Sequence, residues 1–237
     1  MSDNRLIFDG KEKQIFETED PDQVLIHYKD DTTAYGGLKR AVFPGKGALN
    51  CTISALVFDR LANAGIKTHY IKTVGESEQL CRKVEMIPLH MIVRNYIAGS
   101  TAAMLGLEDG FKPDNVVYEM KYDNAGLGDP KINPHHAVAL KLLTYEEIDE
   151  IHQIVRQVND VLFDLFSKAG IKLVDYRVEL GRASDGEIIV ADEISPDTCR
   201  LWDALTDEKL DKDRFRLDMG YICDSYNKIL ERLRSVR

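Results

Sequence analysis

Apolar and polar positions alternate with different periods along this 237-residue chain, and each change of period marks an element. Leu6-Ile7-Phe8, the turn Asp9-Gly10 and the run Lys11 to Phe16 predict two strands joined by a glycine turn. Val24 to Lys29 predicts a third strand, and Asp30-Asp31-Thr32-Thr33 a polar loop. Leu49, Ile53, Leu56, Val57, Leu61 and Ala64 then recur at helical spacing, with Gly65 placed to end that helix in the left-handed conformation. Thr68 to Val74, Gln79 to Met86 and Leu89 to Tyr96 return to extended structure, interrupted by Pro88, which cannot donate to a ladder. Between Phe111 and Pro134 the chain is loop-rich around a short strand at Val116 to Met120. Thr144-Tyr145-Glu146-Glu147 is a capping box; it opens the longest helix, whose stripe from Ile148 to Leu165 runs to Gly170. A short helical stretch is expected at Leu205 to Leu210, and a final helix buries Ile222, Tyr226, Ile229, Leu230 and Leu233. The class is α+β, with a mostly antiparallel lobe over residues 1–87 and a larger α+β lobe over residues 88–237.

Residues 173–203 carry the sharpest pattern. Val174, Tyr176, Val178 and Leu180 alternate with Asp175, Arg177 and Glu179, which predicts a strand with one buried face and one polar face. Asp185-Gly186 is a strong hairpin signal, because both central residues of a type I′ turn need positive φ. With those two residues as the whole loop, Glu179 lies opposite Asp192 and Arg177 opposite Ile194. Facing carboxylates about 4.5–5.5 Å apart at Cβ destabilise a sheet unless a cation lies between them. Mg2+, which takes carboxylates and substrate phosphates together, suits such a pair. The hairpin then reads as the floor of a nucleotide-metal site. A longer loop would slip the register by one and turn Asp192 to the other face, and a solvated strand face is the plainer account of the charges. The gathering of Asp192, Glu193, Asp197 and Arg200 around Pro196 favours a site.

Two other stretches point to phosphate. Lys11 and Lys13 share a strand face beside Gly10 and would aim their ammonium groups at a nucleotide under the turn; edge lysines that block aggregation are the alternative. Arg94 to Gly99 leads into a helix at Thr101 to Leu105, with Ser100 as its N-cap. A helix start with a glycine, a hydroxyl and an arginine suits a phosphate, although ordinary capping accounts for Ser100 equally well. His135-His136 point different ways on any regular element and lack a third ligand at metal spacing.

Composition narrows the classes. A hydrophobic content of 44% with 30% charged residues is that of a folded globular chain rather than a disordered one. The formal net charge of −9 disfavours nucleic acid and membrane surfaces as partners. No run approaches the ~20 apolar residues of a membrane span, and the start Met-Ser-Asp-Asn-Arg has no apolar leader core. Cys51, Cys81, Cys199 and Cys223 form no CxxC pair, which fits free thiols in a reducing compartment. The expectation is a cytoplasmic protein acting on small molecules.

Taken together, several segments give the chain a near end-to-end resemblance to the SAICAR synthetase family, the phosphoribosylaminoimidazole-succinocarboxamide synthases. They are Gly10-Lys11-Glu12-Lys13, Met86-Ile87-Pro88, Val93-Arg94-Asn95, Ala98-Gly99-Ser100, Asp129-Pro130, Val174 to Gly181, Asp192 to Asp197, Arg200-Leu201-Trp202 and Asp211 to Arg216. The resemblance implies a two-lobed ATP-grasp or kinase-like architecture with ATP in the cleft and Mg2+ as cofactor. It implies ATP-dependent ligation of L-aspartate to 5-aminoimidazole-4-carboxyribonucleotide (CAIR), giving SAICAR, ADP and phosphate through an acyl phosphate. On this resemblance Lys11, Lys13, Lys83, Glu85 and Met86 meet ATP, and Glu179 and Asp192 hold the metal. Arg94, Ser100, Asp175, Arg177 and Arg200 take the ribonucleotide, while Asp129, Asp197 and Arg216 fall to a substrate loop. A homodimer is implied as well.

Where the family has Asp-x-Lys-x-Glu-Phe-Gly, this chain has Asp175-Tyr176-Arg177-Val178-Glu179-Leu180-Gly181, a planar fork in place of a compact ammonium. Phosphoryl transfer needs mainly positioning and charge neutralisation, which predicts a site of Mg2+, Lys and Arg without a histidine base. A small-molecule kinase would use the same Mg-ATP site and pass the phosphoryl group to a hydroxyl. A silent nucleotide-binding regulator would lose a metal ligand, and the presence of Glu179 and Asp192 stands against it.

Overall fold

Residues 5–236 are described by the computed structural model; the start read for a leader lies outside the described residues but for Arg5. The chain begins with strands β1 (Leu6–Asp9), β2 (Lys13–Glu17), β3 (Gln23–Tyr28), β4 (Asp31–Ala34) and β5 (Lys39–Val42), followed by helix α1 (Lys46–Asn63). Strands β6 (Tyr70–Gly75), β7 (Glu78–Arg82), β8 (Val84–Met86) and β9 (Leu89–Arg94) lead to helix α2 (Ser100–Leu105). Next come β10 (Val117–Tyr122), β11 (Lys131–Ile132), α3 (Pro134–Ala139) and α4 (Tyr145–Lys168). The last part holds β12 (Ile171–Ala183), β13 (Ile188–Ala191), β14 (Cys199–Asp203), α5 (Asp213–Arg216) and α6 (Ile222–Ser235).

These strands form two antiparallel sheets and a separate hairpin. The first sheet has the order β1-β2-β3-β7-β6. The second runs β11-β10-β9-β12-β13, with β14 and β8 also paired to β12, and β4 pairs with β5 alone. Strand β12, 13 residues long, reaches all four of its partners at different points along its length. Helix α4 starts as expected: the Thr144 hydroxyl accepts from Glu147 N at 3.2 Å and the Glu147 carboxylate accepts from Thr144 N at 2.8 Å.

Helix α1 ties the sheets together. Ile53, Val57, Phe58 and Leu61 pack in one core with Val155 and Val158 of α4 and Tyr176 and Val178 of β12. Cys51, on the same helix, belongs to a small cluster with Val24, Ile26, Tyr28 and Cys81 of the first sheet. At Gly47 a Cβ would stand 2.3 Å from the Tyr28 carbonyl oxygen, so only glycine lets the helix start this close to β3.

Four local expectations are corrected. Asp31–Ala34 is a strand rather than a loop; Thr32 and Ala34 are buried in alternation, and its polar residues hid the period. Lys11 sits in the bend before β2 rather than on the strand with Lys13. Leu205 to Leu210 is not helical: the Asp203 carboxylate accepts from Leu205 N and Thr206 N, Lys209 bridges back to Trp202, and Leu205 is 96% exposed. The central hairpin turns through three residues, Ser184-Asp185-Gly186, closed by Ala183 N donating to Glu187 O at 2.9 Å. Gly186 takes the left-handed position (φ 86°) of that longer loop. The register therefore slips by one: Glu179 faces Ala191, not Asp192, and Arg177 N bonds Thr198 O instead of pairing with Ile194.

Candidate active site

The second sheet stacks charged residues in rows across its polar face. Arg94 of β9 pairs with Asp175 of β12, and Asp175 with Arg200 of β14. Two residues along, Ile92 pairs with Arg177, and continuing that register brings His90 opposite Glu179. In the first row Asp175 Oδ2 accepts from Arg94 Nη1 at 2.7 Å and from Arg200 Nη1 at 2.9 Å. Burial outweighs both guanidinium groups and holds the Asp175 carboxyl above its ordinary value. Glu119 of β10 takes two further donors of Arg94, at 3.1 and 2.9 Å, and Asp213 Oδ2 accepts from Arg200 Nε at 2.8 Å.

The next rows open into a cleft of about 630 Å³ between the two sheets. Asp192 is the first residue past β13 and has a left-handed backbone (φ 60°). That conformation returns its carboxylate to the cleft despite the shifted register. Its Oδ2 lies 3.5 Å from Arg177 Nη2, while Glu179 Oε1 lies 3.0 Å from Arg177 Nε. Lys13 also pairs with Asp192 and lies 3.1 Å from Glu193. Glu179 and Asp192 are thus bracketed by two side-chain cations, Arg177 and Lys13.

The electrostatics divide the two acids. Burial and the neighbouring Asp192 push the Glu179 carboxyl up to about 7. Asp192, equally buried, is held down to about 2 by Lys13 and Arg177. Lys13 stays above its ordinary value, because Asp192 and Glu193 outweigh its burial. His90 is lowered, by burial first and then by Arg177.

Beneath the cleft lies a buried clasp. Asp197 accepts from Lys46 Nζ at 2.7 Å and from Tyr226 Oη at 2.5 Å, and its side chain is 1% exposed, as is that of Lys46. Lys212 stands 3.9 Å from the same carboxylate and pairs with Glu12. Glu12 also accepts from Thr33 N at 3.0 Å, tying the glycine turn to the β4–β5 hairpin.

The cleft gathers Lys11, Lys13, Asp129, Arg177, Glu179, Asp192, Asp197 and Arg216. Arg94, Asp175 and Arg200 form the adjoining row. Ser100 stands apart from its expected role: it is exposed as the first residue of α2, the N-cap is Gly99, and no side chain caps that helix. Gly99 serves Arg200 instead, since a Cβ there would lie 2.8 Å from Arg200 Nη2. Lys83 and Glu85 line a separate depression with Pro21, Asp22 and Arg182, and Met86 is exposed at the edge of β8. Sequence reasoning missed Glu12, Lys46, His90, Asp123 and Lys212. The signal for His90 was present, since His90, Ile92 and Arg94 share one face of β9 at a period of two. Nothing local marks Lys46, which reaches Asp197 across 151 positions. His135 and His136 hold structure: His136 closes the cap of α3 and His135 bonds Tyr145.

Two antiparallel sheets meeting at a cleft where carboxylates, lysines and arginines interleave define an α+β protein equipped to hold charged small molecules. The chain belongs to the SAICAR synthetase family, whose model matches residues 6–233. A phosphoribosylaminoimidazole-succinocarboxamide synthase from Clostridium acetobutylicum is 50% identical over 233 residues, covering 98% of this chain and 99% of its own. The crystal structure of the corresponding synthase from Ehrlichia chaffeensis superposes with a TM-score of 0.95 at 37% identity, covering 98% of this chain and 100% of that one. A SAICAR synthetase solved in complex with ADP gives a TM-score of 0.93 at 42% identity, covering 97% of each chain.

Proposed function

We propose that this protein joins L-aspartate to CAIR at the expense of ATP, forming SAICAR, ADP and phosphate. The observation that carries the reading is the convergence of Lys13, Arg177, Glu179 and Asp192 in one cleft of a chain belonging to the SAICAR synthetase family. A relative 42% identical binds ADP, and the lysines at the glycine turn supply the charge its phosphates need. Lys11 and Lys13 hold the phosphates of ATP. The adenine lies along residues 83–86, where β8 pairs with β12 on one edge.

Glu179 and Asp192 fit Mg2+. Both offer oxygen donors only, and both line the one cleft, where a hard dication binds carboxylates and phosphates together. Bound there, Mg2+ would neutralise charge on the nucleotide phosphates. Arg94 and Arg200 take the 5′-phosphate of the ribonucleotide, with Asp175 between them as counter-ion and Ser100 at its margin. Arg177 orients the imidazole 4-carboxylate. An oxygen of that carboxylate attacks the γ-phosphorus, ADP departs, and an acyl phosphate results. The aspartate amine then attacks the acyl carbon, phosphate leaves, and the amide is made. Asp129 and Arg216, at the cleft mouth, receive the aspartate, while Asp197 acts from below by holding its lysines. The protein works as a cytoplasmic homodimer whose first sheet, within residues 1–87, covers the nucleotide.

The test is ADP release measured with CAIR and L-aspartate together and with each omitted. Release that requires both, with SAICAR as product, supports the reading; a phosphorylated product without amide would identify a kinase instead.

A further inference from the structure

The segment that leads into α2 is anchored from outside the cleft. Gly99 precedes that helix with φ 61° and ψ −139°, a combination open to glycine and rarely to other residues. Its backbone lies against Arg200: besides the close approach to Nη2, a Cβ there would stand 3.1 Å from Cζ. Arg200 Nε and Nη1 are already held by Asp213 and Asp175, so Gly99 supports the guanidinium on the side of its remaining donor. Asp109 keeps Gly99 in place, accepting from Gly99 N through Oδ1 at 2.7 Å.

Asp109 is itself fixed. Gly110 N donates to Ile97 O at 2.8 Å and Ile97 N donates to Phe111 O at 2.8 Å, which ties the two ends of this loop together. Gly110 packs on the Trp202 indole, where a Cβ would stand 2.8 Å from Cζ3. Lys209 Nζ lies 4.0 Å from a Trp202 ring centroid and 3.0 Å from Asp109 Oδ2. Arg200 and Trp202 are two positions apart on β14, so the strand that presents the arginine also seats the anchor. Burial opposes ionisation of Asp109, yet the Gly99 amide, Lys209 and Arg200 hold its carboxyl below the ordinary value.

We propose that Asp109 is a positioning residue for the ribonucleotide phosphate: by holding the Gly99 N–H, with Lys209 aiming its carboxylate, it seats Gly99 against Arg200 and so fixes Arg200 and Ser100 where the phosphate is received. The proposal deepens the proposed function and rests on its placing of that phosphate at Arg94, Arg200 and Ser100. The sign of the effect separates positioning from plain electrostatics. Asp109 carries the same charge as the phosphate, so removing it would tighten phosphate binding if charge alone mattered. Loss of the anchor does the opposite. A half-exposed pair such as Asp109 with Lys209 contributes little to stability by itself, so the effect is read in binding rather than in folding.

The test measures binding first and turnover second. CAIR and ADP are titrated separately into the protein by calorimetry, and kcat and each KM are then taken from the ligation assay. Asp109→Ala should weaken CAIR by about fivefold to thirtyfold, the loss of a charge-assisted hydrogen bond acting at one remove. ADP affinity and kcat should stay within about twofold of the parent, because the contact serves ground state and transition state alike. Asp109→Asn keeps the Oδ1 acceptor without the charge and should hold CAIR affinity within about threefold of the parent. Lys209→Met, which leaves the acceptor unaimed, should fall between the two. An Asp109→Ala variant that binds CAIR as well as the parent or better overturns the proposal. So does one that loses CAIR and ADP alike, or an Asp109→Asn variant as weak as Asp109→Ala. Ligation that persists beside an indifferent Asp109→Ala variant overturns the anchor alone. CAIR binding that follows the expected order in a protein that makes no amide would instead overturn the ligase reading and support the anchor.

Discussion

Arg94 and Arg200 share one buried counter-ion. Asp175 Oδ2 accepts from Arg94 Nη1 at 2.7 Å and from Arg200 Nη1 at 2.9 Å, so two guanidinium groups are held on adjoining strands around a single carboxylate. Three positive or negative groups in contact would be costly alone, and the flanking Glu119 and Asp213 extend the alternation in both directions. Arg200 Nη2 has no partner among the hydrogen bonds of the described residues, which leaves a guanidinium donor for an incoming phosphate.

Arg94→Ala should therefore raise the KM for the ribonucleotide tenfold to a hundredfold and leave the affinity for ATP largely unchanged. A charged hydrogen bond contributes ~1.5–3 kcal/mol, which sets that range. Steady-state kinetics with each substrate varied in turn decide it; a loss confined to ATP would remove Arg94 from the phosphate site.

Arg177 bridges the two carboxylates of the cleft, and substitution separates charge from shape. Arg177→Met leaves Glu179 and Asp192 facing across a gap and should abolish turnover. Arg177→Lys should retain activity if a single positive point suffices, and should lose it if the planar fork is used on both acids at once. Nη2 donates to Asp192 at 3.5 Å, whereas Nε, buried 3.0 Å from Glu179, makes no hydrogen bond among the described residues. A turnover assay of the two variants side by side reads the answer, and an active Met variant would contradict both accounts.

Glu179 makes stability depend on pH in the protein without cation. Its folded carboxyl is pushed up to about 7, above the ~4.3 of an unfolded chain. The folded state thus binds the proton more tightly. The stability this contributes is full below pH ~4.3 and is lost as the pH rises through about 7. Glu179→Gln should remove that loss, so the variant should gain on the parent between pH 5 and pH 8 by on the order of 1–3 kcal/mol. Urea denaturation at the two pH values, with divalent cations chelated, measures it. A difference that is flat across this window would show that Glu179 is already ionised.

The clasp under the cleft should be structural first. Lys46→Met strands the Asp197 carboxylate in a buried site and should cost ~3–5 kcal/mol. Tyr226→Phe removes one donor and should cost ~1–3 kcal/mol. Chemical denaturation of both variants checks the order, and equal costs would mean that Lys212 takes over for Lys46.

The elements were legible where one residue's neighbours decide its state. The stripe from Ile148 to Leu165 needs only helical spacing, and the capping box at Thr144 needs only four residues. The hairpin failed at the step where a loop of two had to be told from a loop of three. Asp185-Gly186 is common to both, and the extra residue is chosen by how Ser184 and Glu187 pair, which is a property of the sheet. Asp192 still reached the cleft, because a left-handed residue at the strand end undoes a one-residue slip. Lys46 and Lys212 were invisible for a different reason. Their partners, Asp197 and Glu12, are 151 and 200 positions away, and no local pattern encodes a contact of that span.

Gly47 turns helix α1 into a bearing. With no side chain as a spacer, the helix rides directly on the Tyr28 carbonyl of the first sheet, while its other flank is embedded with α4 and β12. Lys46, the residue before it, grips Asp197. The first sheet and the base of the cleft are therefore joined through two adjacent residues of one helix, with no loop between them.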